Sequence, residues 1–203
     1  MVRLEPISLA HAAAVQALAS DPLIAATSNV PHPYPPDGAV TWIRYTLAQR
    51  ELGYEVNFAI FATSPSFETG RSTAGRPGEI LVGVCGVLNI SGTPRRGELG
   101  YWIGVPYWNR GYASSAAREL VRRAFTEHGI DELYSSCLVR NAASFRVLEK
   151  TGFRHVGYGK HSDAKWGPED RFAIFELTRE DWAQGSRLKA QGHVGPSPEP
   201  REP

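Results

Sequence analysis

The sequence predicts a mixed α/β fold in which one sheet is covered by helices, and three observations carry that prediction. Short apolar runs such as "NFAIFA" and "EILVGVCGVLNI" recur with turn residues between them. Other segments place apolar residues at helical spacing, above all Ala116, Ala117, Leu120, Val121, Ala124 and Phe125. The two kinds alternate along the chain: strand, two helices, three strands, helix, strand, helix, two strands.

Each element has its own signal. "VRLEPIS" reads as the first strand, and "LAHAAAVQALAS" as a helix with Leu9, Ala13, Ala17 and Leu18 on its apolar face. After the proline-rich "VPHPYPPDG", Asp37 is placed to cap a helix running to about Arg50, with Trp42, Tyr45 and Leu47 available for burial. "NFAIFA" and "EILVGVCGVLNI" are strands joined by residues 63–79, a connection long for a hairpin and expected to be mobile. "GELGYWIGV" is the next strand. The helix after it is stopped by Gly129. "LYSSCLV" is a strand, "NAASFRVLEK" a short helix capped by Asn141 and ended by Gly152, and "FRHVGYG" and "RFAIFELT" close the sheet. From Gly185 onward few apolar residues and four prolines predict a disordered tail, so one domain is expected over residues 1–184 and the tail over 185–203.

Composition removes whole classes of function. The 203 residues carry 22 basic and 21 acidic side chains, a balance that suggests no nucleic acid. The longest apolar run is broken by glycines and falls short of the roughly 20 residues of a membrane span. No cleavable apolar leader is visible, so the chain reads as cytoplasmic. Cys85 and Cys137 sit in apolar strand-like runs and read as buried free thiols. The six histidines show no metal-ligand spacing, and no metal is expected.

The stretch "PYWNRGYASSAAREL" puts a glycine turn where a strand meets a helix. Helix N-termini expose unpaired N–H groups and carry about half a positive charge, so they attract phosphate. Gly111 has no Cβ to hold a phosphate oxygen away, and Asn109 is the non-glycine residue best suited to a left-handed turn. Ala113, Ser114 and Ser115 keep the first turn small, and Arg110 adds a contact for a second phosphate. Together these suit a pyrophosphate. Geometry alone also accounts for a glycine in such a turn. The loop is neither GxxxxGK[ST] nor GxGxxG, which excludes the familiar ATP and dinucleotide loops.

"ELGYWIGVPYWNRGYASSAARELVRRAF" followed by "NAASFRVLEKTGF" resembles the acetyl-coenzyme A-binding core of the GNAT N-acetyltransferases. The closer likeness is to the RimJ/RimL branch, which acetylates protein N-termini and related amines. The match is clear from Glu98 to Phe153 and weaker over residues 2–182. The resemblance implies the GNAT-like acyl-CoA N-acyltransferase architecture and acetyl-CoA as cosubstrate. It lays the phosphate-loop pattern Q/R-x-x-G-x-G/A on Trp108, Asn109, Arg110, Gly111, Tyr112 and Ala113. Trp108 departs from Gln/Arg, and Asn109 stands where the branch commonly has glycine. The resemblance also assigns backbone pairing with the pantetheine arm to Ile103, Gly104 and Val105, and the thiol end to Asn141 and Ser144.

Acetyl transfer to an amine needs a base for the ammonium, a donor for the carbonyl oxygen and an acid for the leaving thiolate. Val105 or Ile103 can supply a backbone donor, and Ser144 is the candidate acid, unless it only caps its helix with Asn141. Two carboxylates compete as base. Glu98 begins a strand, the position many GNAT enzymes use, and ranks ahead of Asp163 in a loop, where the RimL-like branch can place a glutamate. Tyr112, Tyr101 and Trp102 read as packing residues, and Tyr158 as a weak candidate for a second proton donor. A non-catalytic acyl-CoA-binding module is the rival reading, opposed by Ser144 and the two carboxylates. The expected partners are acetyl-CoA and an amine, either a protein N-terminus or a small molecule, with neither nucleic acid nor membrane, and a homodimer is left open. The acceptor loops, "SNVPHPYPPDG" and "GYGKHSDAKWGPED", identify no single ligand.

Overall fold

The computed structural model describes residues 2–63, 76, 78–161 and 163–190. Seven strands form one sheet: β1 (Val2–Pro6), β2 (Val56–Thr63), β3 (Glu79–Ser91), β4 (Arg96–Ile103), β5 (Glu132–Leu138), β6 (Arg154–Gly159) and β7 (Phe172–Thr178). Their spatial order is β1-β2-β3-β4-β5-β7-β6, antiparallel throughout except where β4 meets β5. The helices are α1 (Ala12–Ala19), α2 (Pro22–Ala25), α3 (Gly38–Glu51), α4 (Tyr112–Thr126), α5 (Ala142–Thr151) and α6 (Arg179–Ala190).

Strand alternation sends successive side chains to opposite faces, and each face has its own core. On one, Phe58, Cys85, Leu99 and Ile103 meet α4. All six apolar residues expected on α4 are buried there. On the other face, Ala59, Phe61 and Val84 meet Val15 of α1 and Ala39 and Ile43 of α3. Here the expected faces shift. In α1 the buried side chains are Val15 and Ala19, while Ala13 and Ala17 are exposed, because methyl groups are too small to decide which side turns inward. In α3 Ile43 takes the central place and Tyr45 is exposed. Asp37 does stand at the α3 cap, but its carboxylate accepts from the Thr41 hydroxyl at 3.2 Å and from no backbone N–H.

The C-terminal expectation needs correcting at its start. Residue 185 lies inside α6, which continues to Ala190. Thr178 and Asp181 hydrogen-bond reciprocally at its N-terminus, at 2.8 and 3.1 Å, and Trp182 packs on Phe125, so capping and one aromatic contact extend the fold past the apolar-poor boundary. Residues 191–203, and 64–75 and 77 of the expected mobile connection, lie outside the described residues. Cys85 and Cys137 are buried and free. Among the described residues no helix is long and apolar enough to cross a membrane, and no group of three or more His, Cys, Asp or Glu could hold a metal.

Candidate active site

The site begins where two strands part. β4 pairs with β5 only over Arg96–Glu132, Gly97–Leu133 and Glu98–Tyr134. One residue on, the Ser135 hydroxyl rather than a backbone N–H reaches the Leu99 carbonyl, at 2.8 Å. Beyond that the strands diverge, and a cleft of about 1310 Å³ opens between them.

The register decides which backbone groups face this gap. The Gly104 N–H donates to Val82 O at 2.8 Å, so position 104 and, by alternation, 102 and 100 point their amides at β3. Tyr101 and Ile103 therefore point theirs toward the missing β5 partner. This corrects the expected trio of Ile103, Gly104 and Val105. Gly104 spends both polar groups internally, its carbonyl accepting from Tyr107 N at 2.9 Å, and Val105 opens a 3-10 turn. Ile103 lines the cleft and Gly104 and Val105 do not; the second open backbone position is Tyr101. The Ile103 carbonyl accepts from the Trp108 indole N–H at 2.5 Å, which pins the following loop to the strand end.

That loop has the expected form. Asn109 has φ +60° and Gly111 φ +75°, two left-handed residues that reverse the chain and start α4 with Gly111 as its cap. A Cβ built on Gly111 would meet nothing within 4 Å, so the space above the first turn is open. Asn109, Arg110, Gly111, Tyr112, Ala113 and Ser114 all line the cleft. On the facing wall, α5 adds Arg146 and Lys150, one turn apart, whose place on this wall the sequence reading missed.

Asn141 caps α5, its Oδ1 accepting from Ser144 N at 3.1 Å. The cap uses the Ser144 amide and leaves its hydroxyl free. That hydroxyl lies 2.8 Å from the Tyr101 phenol oxygen. Burial pushes the Tyr101 pKa well above its ordinary value, and it also raises that of the neighbouring Cys137 thiol, so both stay protonated near neutrality. Tyr101, read from sequence as a packing residue, is thus a polar member of the site. Its signal was alternation: Leu99, Tyr101 and Ile103 share the face opposite Glu98.

The two candidate carboxylates are separated. Glu98 lines the cleft at the last β4–β5 pair, held by Asn89 Nδ2 at 2.9 Å. Asp163 is exposed, stands outside the cleft wall, and spends its Oδ1 on Lys165 N at 2.9 Å. Its loop is clamped elsewhere: Lys165 Nζ donates to the carbonyls of Ala25, Ser28 and Val30, each at 2.6 Å. The Trp166 indole donates to Asn29 Oδ1 at 3.0 Å, closing one end of the cleft. Tyr158 is exposed on β6 against Arg171 and is not brought to the site.

Comparison with known proteins agrees with this geometry. The profile described as "Acetyltransferase (GNAT) domain" matches residues 2–154. The FsC-acetyl coenzyme A-N(2)-transacetylase of Aspergillus fumigatus is 35% identical over 89 residues, 43% of this chain and 38% of that protein. The putative ribosomal N-acetyltransferase YdaF of Bacillus subtilis is 26% identical over 102 residues, 50% of this chain and 56% of that protein. The matched stretches thus span about a third to a little over half of these curated relatives. Among solved structures, Mycobacterium smegmatis RimJ in complex with CoA-disulfide superposes with TM-score 0.73 at 21% identity, covering 94% of this chain and 89% of that one. Vibrio cholerae spermidine N-acetyltransferase with CoA and spermine gives 0.70 at 14% identity, covering 90% and 98%. These two share the fold, and the profile match over three quarters of the chain shows the family: the chain belongs to the GNAT acetyltransferases.

Proposed function

We propose that the chain moves an acetyl group from acetyl-CoA to a primary amine by direct attack within this cleft. The observation that carries the reading is the parting of β4 from β5 just past Glu98, across from the left-handed Gly111 turn. A strand edge open to an extended ligand and a helix N-terminus open to phosphate meet in one cleft, which fits a pantetheine arm and a pyrophosphate. Residues 109–114 would hold the pyrophosphate, with Arg110, Arg146 and Lys150 near its charge. Tyr101 and Ile103 would pair along the arm, and Asn141 and Ser144 would meet the thiol end. Bound there, the thioester supplies an acyl carbon activated toward nucleophiles.

Each protein group then has one task. Glu98 accepts the ammonium proton, directly or through a water, so that the amine attacks neutral. Whichever of the two open β4 amides, Tyr101 or Ile103, the arm leaves unpaired donates to the carbonyl oxygen as charge develops on it. The Ser144 hydroxyl donates a hydrogen bond to the departing sulfur and is held in place by the Tyr101 phenol, which burial keeps protonated, and the leaving thiolate takes up the proton that the acylated nitrogen loses. Asp163 has no task in this scheme. Incubation with acetyl-CoA and a panel of amines, scored for released thiol and N-acetyl product in equal amounts, tests the reading. CoA binding without thiol release from any amine would favour a binding module instead.

A further inference from the structure

The acceptor end of the cleft differs in chemistry from the coenzyme end. The cations that line the cleft, Arg110, Arg140, Arg146 and Lys150, all belong to the α4–α5 side, and Arg140 is already paired with Asp170. On the α1–α3 side the charged lining residues are Glu98 and Asp37, and among the described residues no lysine or arginine joins them. His161 at the rim accepts a hydrogen bond from Asp163 N on its Nδ1 at 3.0 Å. Lys165, close by, is committed to its three carbonyls.

The floor of this end follows from the register. Asn57 pairs with Gly86 and Gly86 with Gly100, so one row across β2, β3 and β4 reads Asn-Gly-Gly on the face toward α3. Leu88 and Glu98 form the row on one side, Val84 and Trp102 the row on the other. Two adjacent glycines leave a hollow between a carboxylate and an indole. Asn57 Oδ1 fills the space over Gly86, where a Cβ would come within 2.1 Å of it. The orientation of that amide is fixed from behind: Asn57 Nδ2 donates to Glu55 Oε2 at 2.9 Å, and a carboxylate accepts only. Glu55 also accepts from the Thr46 hydroxyl at 2.9 Å. Asn57 therefore turns its oxygen, not its N–H groups, toward the hollow. Tyr34, Trp42 and Trp166 complete the walls.

We infer that the acceptor is a cationic amine with an apolar or aromatic body and no carboxylate. Among the polar atoms offered to it, the carboxylates of Glu98 and Asp37 and Asn57 Oδ1 are acceptors. An alkylammonium brings donors and a positive charge to such a lining, and its carbon body would lie against indole and phenol faces, where a cation is also attracted. A free amino acid or an acidic peptide brings a carboxylate that meets like charge and, among the described residues, no lysine or arginine on this side, and sites with such unpaired groups discriminate strongly.

This inference rests on the acetyl-transfer reading, and three amines separate their failures. 2-Phenylethylamine and phenylalanine differ by one carboxylate, and phenylalaninamide keeps the added bulk without the charge. With acetyl-CoA and the full chain, kcat/KM for the amine and the amide should each exceed that for phenylalanine by roughly tenfold or more. Asp37→Lys, at the exposed rim, should narrow the gap. Phenylalanine turned over within tenfold of the other two, or a gap unmoved by Asp37→Lys, overturns the inference while leaving acetyl transfer intact. Absence of thiol release with these and with a peptide N-terminus overturns the transferase reading itself.

Discussion

The Tyr101 phenol oxygen lies 2.8 Å from the Ser144 hydroxyl, joining β4 to the first turn of α5 across the gap where β4 and β5 separate. If Tyr101 holds Ser144 in place as hydrogen-bond donor to the sulfur, Tyr101→Phe should lower kcat by roughly tenfold, about the value of one hydrogen bond. KM and CoA affinity should hold. Steady-state kinetics beside calorimetry make the distinction, and a rise in KM with normal kcat would reduce Tyr101 to packing.

Ser144→Ala should cost more, because the group that meets the sulfur is itself removed. The expected fall in kcat is on the order of 10²-fold or greater, with CoA affinity within a few-fold. Lost CoA binding with normal turnover at saturation would return Ser144 to a local cap role.

Gly111→Val places a β-branched side chain at φ +75° and in the open space above the α4 turn. The backbone strain should cost about 1–2 kcal/mol of stability. CoA affinity should fall by roughly tenfold or more, since the side chain takes the room assigned to phosphate. Thermal melts and calorimetry on one sample separate the two effects. Unchanged affinity would remove the pyrophosphate from this loop.

Glu119 gives a pH test of α4. Hydrogen bonds from Arg122, and secondly Arg123, hold its carboxyl down to about 2 from an ordinary 4.5. A folded value below the unfolded one means stability that is complete above about pH 4.5 and lost as pH falls toward 2. The group is partly exposed, so Glu119→Gln should cost only about 0.5–1 kcal/mol at pH 7. Urea unfolding should show the two proteins converging between pH 4.5 and 2.

What was legible in the sequence depended on one residue type answering one local demand. Asn109 and Gly111 announced the turn because left-handed backbone tolerates few residues. The apolar stripe of α4 announced its buried face because Leu120, Val121 and Phe125 are large. Alanines could not do the same for α1. Position ranked Glu98 over Asp163 only as strand over loop, because what holds the Asp163 loop is a lysine bonded to carbonyls some 135 to 140 residues away. Tyr101 needed a partner 43 residues on, which spacing does not reveal. α6 escaped because a composition poor in apolar residues outweighed the Thr178–Asp181 cap.

The central claim is that acetyl transfer depends on a carboxylate at the point where β4 and β5 part. The pH–rate profile of Glu98→Gln, measured beside wild type and Asp163→Asn with a carboxylate-free amine, tests it most directly. The account predicts that Glu98→Gln lowers kcat/KM on the order of 10²-fold or more and flattens the lower pH limb, with CoA affinity unchanged and Asp163→Asn close to wild type. A Glu98→Gln enzyme with a wild-type profile, or the loss appearing in Asp163→Asn instead, would contradict it.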